Sequence, residues 1–383
     1  MLGGSGGNKK PVILIVSPFA DSVVRFRGPI ISELVSRNWK VIVLAPDYTE
    51  KSIKQVKMLG ANPQKIRLDR VGVNPFRDLI SIINLMQSFK RNQPDIVLAY
   101  QHKPNIYGML AAKLVGVPAR YALIEGLGYA FTSSEGTIKK RLVRFALKAL
   151  YKLALKGVNK VFFLNPDDRE KFLSMKIVGA NQAVLLGGIG VELDKWPAAP
   201  PHVKPITFTL IARLLREKGV YEYITAASYI RTKYPNVRFL LVGPLDSNPS
   251  SIKDSEVKAW VDKGLIEWVP WTDDVQSYLK KTSVFVLPSF YGEGVPRSIQ
   301  EAMAMARPII TTDTPGCRET VLHGINGYLI PPRNPEALIK AMETFIQDPS
   351  LISKMGKESR KLAEERFDAR KFADKLLMYM EIK

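Results

Sequence analysis

Short apolar runs rich in β-branched residues alternate with longer amphipathic stretches along most of this chain. The first run, residues 11–17, reads PVILIVS, and apolar side chains then recur at helical spacing through residues 30–35. Such runs are typical of strands buried on both faces of a parallel sheet, and such stretches are typical of the helices that cover it. Further strands are predicted at residues 39–45, 96–100, 120–125 and 160–164. The pattern therefore predicts a doubly wound parallel α/β sheet.

The same alternation restarts after a proline-rich segment. Four prolines lie within residues 197–205, a composition typical of a linker between domains. Strands are predicted beyond it at residues 206–211, 237–242, 265–269, 283–287 and 308–312. We therefore predict two Rossmann-like domains, residues 8–197 and 205–367, followed by a terminal helical segment at residues 368–383. The leading MLGGSGG reads as a cloning remnant and is left out of the first domain.

Residues 288–306, PSFYGEGVPRSIQEAMAMA, combine a turn, two carboxylates and the start of a helix. The glycines allow a sharp turn, so Glu293 is expected in the loop and Glu301 one to two turns into the helix. Ligands of open α/β sheets bind at such strand ends, where the N–H groups of Gly294 and Val295 would also favour an anion. The alternative is that Glu293 is a solvated loop acid and Glu301 a surface acid near the positive end of the helix dipole.

Four basic residues follow predicted strands closely enough to hold an anionic ligand. Arg213 and Lys218 come directly after the strand at residues 206–211, and their charges can neutralise phosphate groups. Arg25 and Arg27 follow the first strand and its loop, where guanidinium groups can hold phosphate. The alternative for each side chain is a solvated surface cation.

Two further features have both a structural and a chemical interpretation. His102 follows the strand at residues 96–100 in a His-Lys-Pro turn, where it either packs against its neighbours or contacts a ligand. Asp167 and Asp168 either cap a helix at residues 169–175 or ligate a divalent metal, and we prefer the capping interpretation. The sequence therefore predicts no metal site.

The net charge of the 383-residue chain is +20, and most of it lies in the first half. Residues 1–200 carry 30 Lys and Arg against 14 Asp and Glu, a net +16, whereas residues 201–383 carry a net +4. Such a field attracts polyanions, whether nucleic acid, an anionic lipid leaflet or a diphosphate-linked lipid. The single Cys317 excludes an intramolecular disulfide, and no run approaches the ~18 apolar residues that span a bilayer.

Residues 137–160 have the most unusual composition. They contain no acidic residue, and basic side chains recur at every fourth position: Lys140, Arg144, Lys148, Lys152, Lys156 and Lys160. One interpretation is a helix with a solvated basic face, and the other is an interfacial helix whose basic flank binds anionic headgroups. The sheet is expected to bury the apolar face in either case. The second interpretation adds Tyr129 and Phe131 of the preceding loop as membrane contacts.

The pattern Glu-Gly-Val-Pro followed by Glu-Ala-Met-Ala, with seven residues between Glu293 and Glu301, resembles the signature of the retaining glycosyltransferases of family four. That family has the GT-B fold, in which two Rossmann-like domains face a cleft. The resemblance places Glu301 on the ribose hydroxyls of a sugar nucleotide and Glu293 on the donor sugar. It places Arg213 and Lys218 on the donor diphosphate. The turn at His102 resembles the family's His-Glu-Pro type turn, whose histidine approaches the donor sugar.

The resemblance covers nearly the whole chain and implies a retaining transfer. The sequence has no convincing Asp-x-Asp metal motif, which favours a metal-independent reaction assisted by protein cations and a helix dipole, with no cofactor. The resemblance also implies that residues 368–383 cross back to the first domain. The loop after the first strand lacks the family's Gly-Gly pair and offers Arg25 and Arg27 as acceptor contacts instead. Residues 102–108, HKPNIYG, look like those of bacterial enzymes that add N-acetylgalactosamine from UDP-GalNAc to undecaprenyl-diphospho-bacillosamine in protein glycosylation.

The implied partners are a sugar nucleotide, a polyprenyl-diphosphate-linked acceptor and an anionic membrane surface, with no nucleic acid. The implied location is peripheral, on the cytoplasmic face of the inner membrane. Two alternatives stay open from the residues themselves. One is a glycosyltransferase that acts on a soluble acceptor, and the other is a polyanion-binding module whose active site has decayed.

Overall fold

The computed structural model describes residues 10–69, 75–127 and 138–382. These residues form two compact units, each built on a parallel sheet. Of the described residues, the first unit contains 10–69, 75–126, 138–186 and 370–382. The second unit contains residue 127 and residues 187–369.

The first unit is organised around a sheet of seven parallel strands. The strands are β1 (Val12–Val16), β2 (Lys40–Ala45), β3 (Asn62–Lys65), β4 (Ile96–Tyr100), β5 (Ala119–Ile124), β6 (Lys160–Phe163) and β7 (Ala183–Leu185). Their order across the sheet is β3-β2-β1-β4-β5-β6-β7. Every residue of β1 and β4 is buried, as expected of apolar strands covered on both faces. The predicted doubly wound sheet is confirmed.

Helices cover both faces of this sheet. They are α1 (Ala20–Ser36), α2 (Glu50–Met58), α3 (Pro75–Asn92), α4 (Met109–Val115), α5 (Ile138–Ala154) and α6 (Pro166–Ser174). A π-helical turn, Pro104–Gly108, leads directly into α4. The chain crosses from β1 to β3 in one direction and from β4 to β7 in the other. Because such crossovers are right-handed, α1 and α2 lie on one face of the sheet, and α3 to α6 lie on the other.

The second unit contains a sheet of six parallel strands. The strands are β8 (Thr207–Ile211), β9 (Arg238–Val242), β10 (Glu267–Val269), β11 (Val284–Leu287), β12 (Ile309–Thr312) and β13 (Gly327–Ile330). The order is β10-β9-β8-β11-β12-β13. The helices are α7 (Val220–Lys233), α8 (Asp254–Asp262), α9 (Val275–Lys280), α10 (Arg297–Ala304), α11 (Pro335–Gln347) and α12 (Ser350–Arg366).

Each sheet has one place where the strand order reverses. In the first unit it lies between β1 and β4, and in the second between β8 and β11. Loops diverge at such a point and leave room for a ligand at the carboxyl ends of the strands. The predicted site residues follow these four strands: Arg25, Arg27, His102, Arg213, Lys218, Glu293 and Glu301. The topology therefore accounts for their clustering at two strand-end sites.

The chain passes from the first unit to the second after Leu186 and returns after Ala369. At the return, the N–H of Val191 donates to the carbonyl oxygen of Phe367 at 2.8 Å, and the N–H of Ala369 donates to that of Val191 at 3.0 Å. The last helix, α13 (Ala369–Tyr379), then belongs with the first unit.

The end of the chain is built into the core of the first unit. Leu376 and Leu377 are fully buried. The hydroxyl of Tyr121, on β5, donates to the carbonyl oxygen of Met380 at 3.1 Å. The first unit is therefore made from segments that lie far apart in the sequence.

Candidate active site

The loop that follows β11 is held by hydrogen bonds from neighbouring strand ends. The N–H of Phe290 donates to the carbonyl oxygen of Glu217 at 2.9 Å. The carbonyl oxygen of Ser289 accepts from the hydroxyl of Thr314 at 3.2 Å and also from that of Thr312, at the end of β12. These contacts fix the path of the loop above β8, β11 and β12.

Gly316 allows a second loop to approach this one closely. Its φ is +78°, and a Cβ atom there would lie 2.3 Å from the carbonyl oxygen of Gly294. Only glycine therefore fits at this position. Gly294 and Val295, the predicted anion-binding residues, are both buried. The carbonyl oxygen of Val295 accepts from the side-chain amide of Gln300 at 3.0 Å, which ties the loop to α10.

Lys218 and Glu293 form an ion pair that is largely removed from solvent. Nζ of Lys218 contacts Oε1 of Glu293, and only 12% and 11% of the two side chains is exposed. The hydroxyl of Ser289 donates to the same carboxylate oxygen at 3.0 Å. The structure thus brings two of the predicted donor-binding residues into contact. No sequence pattern pointed to Ser289.

Tyr291 lies beside this ion pair, and its phenol also responds to the charge of Arg213. The ammonium group of Lys218 is 5.2 Å from the centre of the Tyr291 ring. Burial raises the pKa of the Tyr291 phenol, the charge of Glu293 raises it further, and the charge of Arg213 lowers it. The guanidinium group of Arg213 is half-exposed and donates to Asp246 at 2.8 Å. The charges of Glu293 and Arg213 therefore act on a tyrosine that also contacts Lys218 and that no sequence pattern indicated.

Glu301 is held by a different set of contacts, on α10. Nε of Arg297 donates to Oε1 of Glu301 at 3.0 Å, and Nη1 of Arg297 donates to the carbonyl oxygen of Gly190. Buried Gln300 accepts from the N–H of Gly190 at 2.8 Å. Arg297 therefore sets the orientation of the Glu301 carboxylate. The sequence could have indicated this contact, because Arg297 lies four residues before Glu301 and side chains at that spacing meet on one face of a helix.

His102 lies where β4 meets the π-helical turn, and it is mostly buried. Its Nδ1 is 2.7 Å from the hydroxyl oxygen of Tyr151 on α5, and the two rings meet edge to face. Burial lowers the pKa of His102 from 6.5 to about 4, so the imidazole is neutral at pH 7. The next residue, Lys103, binds Asp78 of α3 at 2.9 Å. Adjacent residues of one turn thus contact two different helices.

The two arginines that follow β1 have different surroundings. Arg25 is exposed on α1. Arg27 is completely buried, pairs with Glu125 at the end of β5, and places its guanidinium group 4.0 Å from the ring centre of Tyr100. The predicted contact with an acceptor or a membrane is compatible with the position of Arg25. It is not compatible with the buried ion pair of Arg27.

α5 turns apolar side chains outward, contrary to the expectation that the sheet buries them. Tyr151 and Ala154 are buried, but large apolar side chains are 37–74% exposed: Leu142, Val143, Phe145, Leu150 and Leu153. Helical periodicity identified the apolar face correctly, but it carries no information on which face meets the protein.

The predicted membrane contacts lie partly on this helix. Lys152 is exposed, and Arg144 and Lys148 are half-buried. Tyr129, Phe131 and the side chain of Lys140 lie outside the described residues. Over the ranges that the structure describes, no helix is both long enough and apolar enough to cross a bilayer.

Within the described residues, no three His, Cys, Asp or Glu side chains form a group suited to a metal ion. Asn165, and neither Asp167 nor Asp168, caps α6, because its Oδ1 accepts from the N–H of Asp168 at 2.8 Å and the helix begins at Pro166. Burial raises the pKa of Asp168 to about 7. Cys317 is a buried thiol, and burial raises its pKa to about 11.

Comparison with known proteins finds a matching family for part of each unit. Residues 13–165 match the family described as glycosyl transferase 4-like, and residues 205–348 match glycosyl transferases group 1. The N,N'-diacetylbacillosaminyl-diphospho-undecaprenol alpha-1,3-N-acetylgalactosaminyltransferase of Campylobacter jejuni is 31% identical over 88% of this chain and 90% of its own length. The UDP-Gal:alpha-D-GlcNAc-diphosphoundecaprenol alpha-1,3-galactosyltransferase of Escherichia coli is 27% identical over 79% of each chain.

A solved structure supports the fold independently. Sucrose-phosphate synthase from Thermosynechococcus elongatus matches this chain with a TM-score of 0.80 and 16% identity, over 97% of this chain and 99% of that one. At this identity the likeness concerns the fold alone, which agrees with the two parallel sheets described above. The resemblance inferred from the two glutamates is thereby confirmed, and the chain belongs to the group 1 glycosyltransferases of GT-B fold.

Proposed function

We propose that this glycosyltransferase moves N-acetylgalactosamine from UDP-GalNAc to a polyprenyl-diphosphate-linked sugar at an anionic membrane surface, with retention and without a metal. The observation that carries the proposal is the 31% identity over 88% of the chain to the Campylobacter enzyme, whose name specifies this sugar and an undecaprenol-linked acceptor. The Escherichia relative is also named for a diphosphoundecaprenol acceptor, but it transfers galactose. The names of both relatives therefore support a lipid-diphosphate acceptor, whereas only the name of the Campylobacter enzyme supports N-acetylgalactosamine as the donor sugar.

In this proposal the donor binds at the strand ends of the second unit. The carboxylate of Glu301 accepts hydrogen bonds from the two ribose hydroxyls, and Arg297 holds it in the orientation for this contact. Arg213 and Lys218 bind the diphosphate, and Glu293 binds hydroxyls of the donor sugar. The support for these roles is the contact of Lys218 with Glu293 and their shared proximity to Tyr291.

The reaction breaks the bond between the anomeric carbon and the β-phosphate oxygen and joins that carbon to an acceptor hydroxyl oxygen. The hydroxyl proton passes to an oxygen of the leaving phosphate. Negative charge grows on the departing diphosphate, so cations already in position lower the barrier. The N–H groups of Gly294 and Val295, close to the start of α10, add to this stabilisation. His102 is proposed to contact the donor sugar as a neutral hydrogen-bonding group.

α5 is proposed to hold the enzyme at the membrane that contains its acceptor. The helix carries no acidic residue, and each of its basic side chains near an anionic leaflet contributes about 1 kcal/mol to binding. The proposed location is peripheral, on the cytoplasmic face of the inner membrane. The lipid-linked acceptors in the names of both relatives support a membrane location.

A transfer assay tests the proposal. The protein is incubated with UDP-GalNAc or UDP-galactose and an undecaprenyl-diphosphate-linked amino sugar, with EDTA or Mg²⁺ present, and NMR gives the configuration of the product. We expect Glu301→Gln to lower kcat/KM about 100-fold, because a preorganised contact to the donor is lost. Glu365→Gln is the matched control, since Glu365 is an exposed acid near the end of α12.

Several outcomes of this assay would contradict parts of the proposal. Full activity of Glu301→Gln excludes the donor site described here, and a requirement for Mg²⁺ excludes the metal-free mechanism. Transfer to soluble sugars alone favours the enzyme with a soluble acceptor. Binding of anionic vesicles, combined with neither transfer nor thermal stabilisation by any sugar nucleotide, favours the polyanion-binding module.

A further inference from the structure

The first half of α3 turns its apolar side outward. Side chains at positions i, i+3, i+4 and i+7 are 44–81% exposed: Phe76, Leu79, Ile80 and Ile83. The buried side of the same turns contains Asp78 and Ser81. A row of large apolar side chains in water is unfavourable, and such rows mark interaction surfaces in soluble proteins.

Polar contacts fix this orientation of α3. Asp78 pairs with Lys103 at 2.9 Å, and both side chains are mostly buried. Rotation of the helix to bury Leu79 and Ile80 would break this pair and leave a buried charge without its partner, which is strongly unfavourable. The outward row is therefore a stable feature of the folded chain.

α5 presents a second set of exposed apolar side chains on the same face of the sheet. Both helices lie on the side of the sheet that carries the crossovers to β4 and β6, and both contact the π-helical turn Pro104–Gly108. Tyr151 of α5 binds His102, whereas Asp78 of α3 binds Lys103, so adjacent residues anchor the two helices. The two exposed rows therefore belong to one side of the first unit.

The exposed charges of α3 and α5 indicate what kind of partner this side of the first unit binds. α5 adds exposed Arg141 and Lys152 and contains no acidic residue, and Arg77 is exposed within the apolar row of α3. Basic side chains beside large apolar ones are typical of helices that lie in a membrane surface. A second copy of this chain would instead bring two basic surfaces together, and like charges across an interface are unfavourable. The composition therefore fits an anionic bilayer better than a second copy of this chain.

We propose that α3 and α5 together form an insertion surface, whose apolar side chains enter the acyl region of an anionic bilayer. This surface adds α3 to the proposed function, in which only α5 and its basic side chains bind the headgroups. It rests on that function only in naming a membrane as the partner. Binding through this surface has an apolar component that salt does not screen, and α3 supplies part of it.

Flotation with vesicles of phosphatidylethanolamine and phosphatidylglycerol tests the surface. The variant replaces Leu79, Ile80 and Ile83 by Ser. The control replaces Met58 and Met378, exposed apolar residues of α2 and α13, by Ser. All five positions are exposed, so both variants are expected to fold. Binding is measured at low salt and at roughly 1 M NaCl, where the Debye length is about 3 Å.

We expect the unaltered protein and the control to keep measurable binding at high salt. The α3 variant is expected to lose about 100-fold in partition coefficient, because three apolar side chains no longer enter the bilayer. Equal binding by the α3 variant and the control overturns the proposal. So does complete loss of binding by the unaltered protein at high salt. A change of the α3 variant in sedimentation velocity, with unchanged vesicle binding, assigns the surface to a second copy and also overturns it.

Transfer to two acceptors separates this inference from the proposed function. With a short-chain, water-soluble polyprenyl-diphosphate acceptor, the α3 variant is expected to keep its kcat, since no altered residue lies in the donor site. With an undecaprenyl acceptor in vesicles, its rate is expected to fall in parallel with binding. If no acceptor is used at all while vesicle binding still depends on α3, the proposed function fails and the insertion surface stands.

Discussion

At the scale of single residues, the ion pair of Lys218 and Glu293 is expected to control when the proposed donor site can hold a phosphate. The two charges neutralise each other in a position where water reaches little of either side chain. In the proposed donor complex, the diphosphate would supply the negative charge that Lys218 needs once it leaves Glu293. The carboxylate would then accept hydrogen bonds from sugar hydroxyls in place of the contact with Lys218. Donor binding is therefore expected to exchange partners within a set of charges that is already in place.

Removing one member of this pair is predicted to destabilise the fold as well as the activity. Lys218→Met removes the cation that contacts the mostly buried Glu293 carboxylate, so we expect the free energy of unfolding to fall by about 2–4 kcal/mol. Adding Glu293→Gln removes the uncompensated charge, and we expect part of the stability to return while transfer stays absent. Urea denaturation and the transfer assay measure the two effects. Additive losses in the double variant would contradict an interaction between the two side chains.

His102 is predicted to make stability depend on pH. Its pKa is about 4 in the folded state and 6.5 as an ordinary histidine, so the unfolded chain binds more protons between these values. The free energy of unfolding should therefore fall as the pH is lowered from 6.5 towards 4, by up to about 3 kcal/mol. His102→Gln should give a shallower slope in urea denaturation over this range. An identical slope in both proteins would rule out a buried neutral imidazole.

The sequence was informative about residues that belong to a motif and uninformative about those that support it. Glu293, Glu301 and Lys218 were identified because their spacing resembles a family signature. Ser289 and Tyr291 were not, because their importance arises from proximity to Glu293 and Lys218 in the folded chain. The sequence did not indicate that Arg27 is buried, because this too depends on a contact made only in the folded chain. Its partner, Glu125, lies 98 positions away in the sequence.

At the scale of elements, the loop after β11 depends on a close approach by the loop after β12. Gly316→Ala is predicted to displace the loop, because the new Cβ would lie 2.3 Å from the carbonyl oxygen of Gly294. We expect a loss of stability of about 1–3 kcal/mol and a larger loss in donor affinity. Thermal unfolding and titration with the sugar nucleotide measure these quantities.

Gly264→Ala is the matched control for this prediction. Gly264 has a φ of +66°, close to the +78° of Gly316, but a Cβ atom there would have nothing within 4 Å. The control therefore reports the cost of the left-handed backbone without the collision. Donor affinity that falls equally in both variants would show that the loop contact has no part in the site.

Ten of the thirteen strands described above were predictable because apolar runs are local signals, and helical periodicity likewise indicated helices between them. The short strands β3, β7 and β13, of three or four residues each, were not predicted. The orientation of α5 was not predictable either, since the same periodicity describes a helix that buries its apolar face and one that exposes it. The cap of α6 was placed two or three residues late, on Asp167 or Asp168. Asn165 forms the cap because its side chain reaches the N–H of Asp168.

At the scale of the whole molecule, the first unit is predicted to need residues 370–382 in order to fold. These residues contribute Leu376 and Leu377 to its core, and Met380 accepts a hydrogen bond from Tyr121. A fragment of residues 8–186 should therefore lack cooperative unfolding. The same fragment joined through a flexible linker to residues 368–383 should regain it. Calorimetry compares the two, and cooperative unfolding of the shorter fragment would contradict the prediction.

The division into two halves was visible in the sequence because the strand pattern stops and restarts around a proline-rich segment. The transition between the units at Leu186 and Gly187 has no comparable signal. It is defined instead by the bonds of Val191 with Phe367 and Ala369, which join segments about 175 positions apart. Local composition marks a linker, but only tertiary contacts assign residues to one unit or the other.

The discontinuous first unit has a consequence for the order of folding during synthesis. Chains emerge from the ribosome amino end first, and domains usually fold as they become complete. We expect residues 187–369 to fold once they have emerged and the seven-stranded sheet to wait for residues 370–382, because the first unit includes both ends of the chain's described part. The half of the enzyme that is translated first is therefore expected to be finished last, and a nascent chain is expected to have its second unit in place before its first.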